Sequence, residues 1–275
     1  MNRHFLPLVC LLLATGQGAS AQTFWMQDGR KITMPPAVLD DQRIVNRLAG
    51  ESVGQPISNI VRLEWPDPPA FAEAEALLKS NRAPEAFALI DATLKPQQLF
   101  REIPGSWWNA GAALRGRALA SLGRLPEADA IVALLRRSKL ETAPALATRL
   151  QFDIIDLLFA GGHLDEVRTR LAVASAEARD DASRARLNLL NADLLRLDGK
   201  AEEALFAYLR VPVYFPGEKS AMPAALLGTT RCYHSLGEIT RARLARDELV
   251  RLYPGTPEAD LAQKEFPPTD QKNSP

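Results

Sequence analysis

The stretch LDGKAEEALFAYL, Leu197–Leu209, reads as the end of one helix, a tight turn and the start of another. Gly199 suits the left-handed conformation that closes a helix at its C-terminus. Lys200 and the acidic Glu202 and Glu203 then suit the first turn of a new helix. Ala204, five residues after the glycine, is small enough to let two helix backbones approach closely. The same phrase recurs in SNRAPEAFALI (Ser80–Ile90), LGRLPEADAIV (Leu122–Val132), GGHLDEVRTRL (Gly161–Leu171) and LGEITRARLARDEL (Leu236–Leu249). Each has a turn residue (Asn81, Gly123, Gly162, Gly199, Gly237) and a small residue five positions later (Ala86, Ala128, Val167, Ala204, Ala242). The small residues lie 42, 39, 37 and 38 positions apart. A helix pair of this length cannot bury its apolar face alone, so stacking on the next pair must do it.

These columns resemble the tetratricopeptide repeat (TPR) family. Seven residues before each turn stand Ala74, Gly116, Ile155, Ala192 and Thr230, and four before stand Leu77, Leu119, Leu158, Leu195 and Tyr233. The family's inter-repeat proline is present as Pro216 and Pro254 only, and its first-helix tryptophan is absent. The spacings also exceed the family's repeat of about 34 residues, which implies longer helices or loops. The C-terminal stretch, with LGTTRCYHSLG and LYPGTPEA, resembles bacterial envelope TPR proteins. Among these are coordinators of cell division with the Tol-Pal system and outer-membrane assembly lipoproteins. The resemblance implies a mainly α fold, a TPR-like α-solenoid of about five helix pairs over residues 67–265.

What the resemblance implies about function is a concave groove lined by the first helix of each pair. The columns ten, six and three residues before the turns would face it. These supply Phe71, Phe152, Arg117, Asp156, Asp193, Arg231, Phe159, Arg196 and His234 as candidate partner-binding residues. An apolar stripe beside alternating charges suits an extended peptide or a partner helix. A plain solvated face, its charges paired with each other, would look the same in sequence.

Cys232 and His234 stand two apart. On a helix that sets them about 200° apart, at about 100° per residue, so they share neither a proton nor a metal easily. Cys232 falls in a column with Ala76, Ala118, Leu157 and Leu194 and reads as a small buried hydrophobe. His163 follows Gly161-Gly162 in a turn and reads as exposed, and the acids after it suit a helix start. No zinc spacing, phosphate loop or nucleophile elbow occurs, so no catalytic residue, metal or cofactor is expected. Trp107 and Trp108 either plug the edge of the second repeat or present an anchor to a partner.

The N-terminus has a different texture. Arg3, the apolar run Phe5–Leu13 and Ala19-Ser20-Ala21 form a secretory signal pattern over residues 1–21, with cleavage expected after Ala21. Cleavage removes Cys10 and leaves Cys232 without a disulfide partner in the chain. Residues 22–66 carry strand signals. TFWMQDGRKITM is a hairpin about Asp28-Gly29, and RIVNRL and IVRLEW are further strands of a three- or four-stranded β module. FPPTDQKNSP, 266–275, reads as a disordered tail.

Lys+Arg and Asp+Glu balance at 33 each, which gives no basic excess for nucleic acid. No later run is long and apolar enough for a membrane span. The expectation is an exported scaffold, periplasmic or secreted, that holds a protein or peptide partner in its groove as part of an envelope complex. Two other readings compete. One is a structural subunit acting through its convex face or ends. The other is a hydrolase or transferase using Asp156, Asp193 and His234.

Overall fold

The computed structural model describes residues 22–34, 38–40, 43–48 and 51–267. The expected signal segment and its cleavage site lie outside the described residues, as does the tail beyond Pro267.

Among the described residues the N-terminal module has six strands rather than three or four. They are β1 Gln22–Met26, β2 Lys31–Met34, β3 Val38–Asp40, β4 Arg43–Leu48, β5 Glu51–Pro56 and β6 Ile60–Glu64. They form two antiparallel sheets, ordered β2-β1-β6 and β3-β4-β5. The β1–β2 hairpin turns at Gly29, whose φ is +81°, and the Asp28 carboxylate accepts from the Arg30 backbone N–H. RIVNRL is β4, and β6 begins at Ile60 as IVRLEW does. The two strands that sequence patterning missed are weak by propensity: β3 has three residues and β5 contains Gly54 and Pro56. The module does not close its own core. Phe24, Met26, Ile44, Ile60 and Leu63 cluster with Phe100 and Ile103, which come from the connection between the first two helix pairs. The strand-to-helix change expected at 66/67 therefore divides secondary structure but not the core.

Beyond β6 the described residues are mainly helical, in five pairs and a final single helix. The pairs are α1 Pro69–Lys79 with α2 Ala83–Leu94, α3 Trp108–Ser121 with α4 Leu125–Arg137, and α5 Ala143–Ala160 with α6 Leu164–Glu177. Then come α7 Asp181–Leu197 with α8 Ala201–Tyr214, α9 Met222–Ser235 with α10 Ile239–Leu252, and lastly α11 Pro257–Glu265. This is a TPR-like helical repeat. The chain divides into two compact units, the first ending at Ile154 and the second beginning at Ile155, inside α5.

The turns behave alike in all five pairs. Asn81, Gly123, Gly162, Gly199 and Gly237 all have positive φ, from 58° to 76°. The next residue's N–H reaches back to the carbonyl four before the turn residue: Arg82 to Leu77, Arg124 to Leu119, His163 to Leu158, Lys200 to Leu195, Glu238 to Tyr233, at 2.9–3.0 Å. That bond and the turn residue's own N–H bond satisfy carbonyls that a helix end leaves free. The two small-residue columns do what their size permits. Ala86, Ala128, Val167, Ala204 and Ala242 are buried, and so are Ala74, Gly116, Ile155, Ala192 and Thr230. A bulkier residue at such a contact costs about 1–3 kcal/mol through overpacking.

Candidate functional site

In the first unit the first helices of three pairs enclose a cleft of about 440 Å³. On α3, Ala110, Ala113, Leu114 and Arg117 line it, a spacing of three and four that sets them on one helical face. On α1 it takes Phe71, Ala72 and Glu75, with Asp67 and two prolines just before them. On α5 it takes Leu146, Arg149, Leu150 and Asp153.

Two of the candidate groove residues, Phe71 and Arg117, line this cleft. Phe152 does not: it is 4% exposed and belongs to the core. The cause is a slip of about one turn. Phe71, Ala72 and Glu75 of α1 stand ten, nine and six before their turn, and the α3 residues stand thirteen, ten, nine and six before theirs, whereas the α5 residues stand three further, at sixteen, thirteen, twelve and nine. That helix has 18 residues against 11 and 14. The extra turn carries the cleft-facing positions back along the chain. Leu150 can reach the floor because Gly116 opposite has no side chain; a Cβ there would lie 2.5 Å from a Leu150 methyl.

The charges of the cleft are unevenly satisfied. Arg117 Nε lies 3.4 Å from the Asp153 carboxylate, so these two neutralise each other. Asp67, Glu75 and Arg149 are exposed at the rim with no ion pair among the described residues. The acids stand on the α1 side and the arginine on the α5 side. The floor between them is apolar.

An aromatic chain runs from the β module into the cleft. Phe24 meets Trp65 edge-on at 5.5 Å, Trp65 meets Trp107 at 6.0 Å, and Trp107 meets Phe71 edge-on at 5.4 Å. Trp108 is buried, and its indole N–H donates to the Leu94 carbonyl at 3.2 Å. The tryptophan pair thus fills the second repeat's edge and is not an exposed anchor. The Leu63 N–H on β6 donates to the Pro104 carbonyl at 2.8 Å. Gly105 follows with φ +83°, and a Cβ on it would sit 1.9 Å from the Leu63 carbonyl oxygen.

In the second unit the candidate groove charges are engaged within the chain. Asp156 is ion-paired with Arg186 of α7. Asp193 accepts from the Tyr208 hydroxyl at 2.5 Å and has Arg196 at 3.7 Å. Arg231 donates twice to Glu265 of α11, at 2.8 and 2.5 Å. The guanidinium holds the Glu265 carboxyl below its ordinary range. Phe159 is half-buried on α5, and His234 is exposed, its ring 5.0 Å from that of Phe266. Phe266 also accepts from Arg246 through its carbonyl, so the first residue of the expected tail is docked. The solvated-face reading therefore describes these charges better than a row of free ligands does.

Cys232 is fully buried, packed with Ala192, Ala204 and Tyr208. Burial pushes its thiol up to about 11, the opposite of what a nucleophile needs. Its column is not uniformly apolar in setting, however: Ala118 and Leu194 are buried, but Ala76 is exposed and Leu157 is 39% exposed. His163 is exposed, as its turn implied. Asp156, Asp193 and His234 each have a different principal neighbour, so the arrangement offers no evident nucleophile–base pair among them. Among the described residues no group of three or more His, Cys, Asp or Glu is placed to hold a metal. None of the described helices is long and apolar enough to cross a membrane.

No family model matches the chain, and no curated protein does. Two solved structures are similar to it, both of a kinesin light chain-like Podosopora anserina protein with nearly identical TPR-like repeats. One, a point-substituted form, is 17% identical over 71% of this chain and 93% of its own, with a TM-score of 0.45. The other is 18% identical over 73% of this chain and 96% of its own, with a TM-score of 0.43.

Proposed function

We propose that the chain is an exported, non-enzymatic scaffold of a bacterial cell envelope. In this reading its α1–α3–α5 cleft receives an extended segment of a protein partner. The observation that carries the reading is the polarised rim: Asp67 and Glu75 on one side, Arg149 on the other, all three without an ion pair among the described residues. Between them lies the apolar floor of Phe71, Leu114, Leu146 and Leu150. A segment that suits it carries a lysine or arginine, one or two apolar residues, then a carboxylate. The apolar residues supply contact and the end charges set direction. The groove charges of the second unit, being paired, contribute positioning of helices and not ligand contacts.

The test places a photo-crosslinking amino acid at Ala113, on the cleft floor, and separately at Leu244, on the exposed side of α10. Partners captured in the native envelope are identified, and the captured segment is synthesised. Its affinity for the chain is then measured with and without Arg149→Glu. The expected result is capture at Ala113 and not at Leu244, with affinity falling about tenfold in the variant, the scale of reversing one exposed rim ion pair. Equal capture at both sites, or affinity indifferent to Arg149, rejects the reading.

A further inference from the structure

The exposed face of α8 carries three of the four most exposed large apolar side chains among the described residues of the second unit. Phe206 is 60% exposed, Val213 68% and Tyr214 67%. Their inward neighbours Ala204, Leu205, Ala207, Tyr208 and Val211 are buried, so the helix has one satisfied face and one bare one. Glu203 and Arg210 lie on the bare face with Phe206 and Val213, at successive spacings of three, four and three. Both are exposed, and neither forms an ion pair among the described residues.

The arrangement is self-complementary. Glu203 and Arg210 are equally far, about 5 Å along the axis at 1.5 Å per residue, from a point between Phe206 and Ala207. A two-fold axis through that point lays a second α8 antiparallel on the first. Glu203 of each copy then falls beside Arg210 of the other, and the two Phe206 rings meet at the centre. An isologous interface requires this pattern of one patch matching itself. Binding energy also concentrates in a few side chains packed at the centre of an interface, the place that Phe206 takes here. We infer that α8 is a homodimer interface, its occupant a second copy of this chain, closed by two Glu203–Arg210 pairs around Phe206. This does not depend on the cleft: the first unit can bind or fail to bind its partner in either state.

Sedimentation equilibrium of the full exported chain tests it, with the wild type beside Glu203→Arg, Arg210→Glu, the double swap and Phe206→Asp. Circular dichroism melts verify that each variant is folded. The expected result is a reversible wild-type dimer. Each single reversal weakens it by about tenfold or more, because like charges then meet at both symmetric contacts. The double swap recovers it to within about threefold, and Phe206→Asp abolishes it. A wild type monomeric up to about 100 µM overturns the inference. A dimer that ignores the single reversals overturns it as well, and so does one that the double swap fails to restore.

Discussion

The Tyr208 hydroxyl of α8 donates to the Asp193 carboxylate of α7, and its ring lies where a Cβ on Gly228 of α9 would have to be, 2.3 Å from that position. One tyrosine thus joins three helices of two successive pairs. Burial, with Asp193 second, raises its hydroxyl well above the ordinary tyrosine range, so it stays a donor at any physiological pH. Gly228→Ala forces the ring to move and is expected to destabilise the chain by about 1–3 kcal/mol, the usual cost of overpacking. Tyr208→Phe keeps the packing but removes the donor, and costs about 1–2 kcal/mol. Urea unfolding followed by circular dichroism measures both. A neutral Gly228→Ala would mean that the close approach is not what sets the ring.

The second prediction concerns the β module. Gly105 combines φ +83° with a backbone approach that no side chain fits, and it sits beside the Leu63–Pro104 hydrogen bond. Gly105→Ala should therefore separate β6 from the loop without touching the repeat turns. The expected readout is a changed tryptophan fluorescence, since Trp65 and Trp107 meet across this junction. Faster proteolysis within residues 22–66 should accompany it, while the helical signal stays near that of the wild type.

Asn81 alone among the five repeat turns holds a positive φ with a side chain, at 58°. Asparagine tolerates this conformation and glycine adopts it freely. Asn81→Gly is expected to be neutral or stabilising by up to about 0.5 kcal/mol, while Gly199→Ala at φ 75° should cost about 1 kcal/mol. Paired thermal melts check the contrast in sign.

That turn column was the most legible feature of the sequence, because a backbone requirement leaves few acceptable residues. The small columns around Ala86 and Ala74 were legible for the same kind of reason: close helix approach excludes bulk. The groove was less so. Counting from the turn assumes helices of equal length, and α5 breaks that assumption, so Phe152 went to the core while Arg149 and Leu150 reached the cleft unnoticed. Pairing was not legible at all. Arg231 and Glu265 are 34 residues apart, and nothing local marks them as partners. The β module gave up β4 and β6, whose apolar residues stand out. It hid β3 and β5, where length and composition argue against a strand.

Cys232 is expected to be inert in the folded chain. The thiol is fully buried and its value is raised to about 11, against about 8.5 for a free cysteine. A thiol-specific disulfide reagent at pH 8 should react only after urea is added. The linkage runs one way: the folded state prefers the protonated thiol. Its contribution to stability is whole below about pH 8.5 and is lost as pH rises through the folded value. Cys232→Ala should flatten that alkaline decline. Rapid labelling without urea would show that the packing around Ala192 and Ala204 opens on its own.

The acid side of the profile belongs to α11. Arg231 lowers the Glu265 carboxyl below its ordinary value, with Arg196 adding to the effect. A carboxylate held low in the fold contributes stability above its unfolded value, near 4.3, and loses that contribution as pH falls through the folded value. The pair ties the final helix to α9, and Arg246 holds the residue after it through the Phe266 carbonyl. The loss should therefore be local. Hydrogen exchange of Pro257–Glu265 should accelerate below about pH 4 before α7 or α8 responds, and Glu265→Gln should reproduce that acceleration at neutral pH. If α11 instead exchanged together with α7 and α8 in both experiments, the ion pair would be a bystander, and the apolar contact of Ala259 and Ala262 with Leu227 and Leu249 would be what holds the helix.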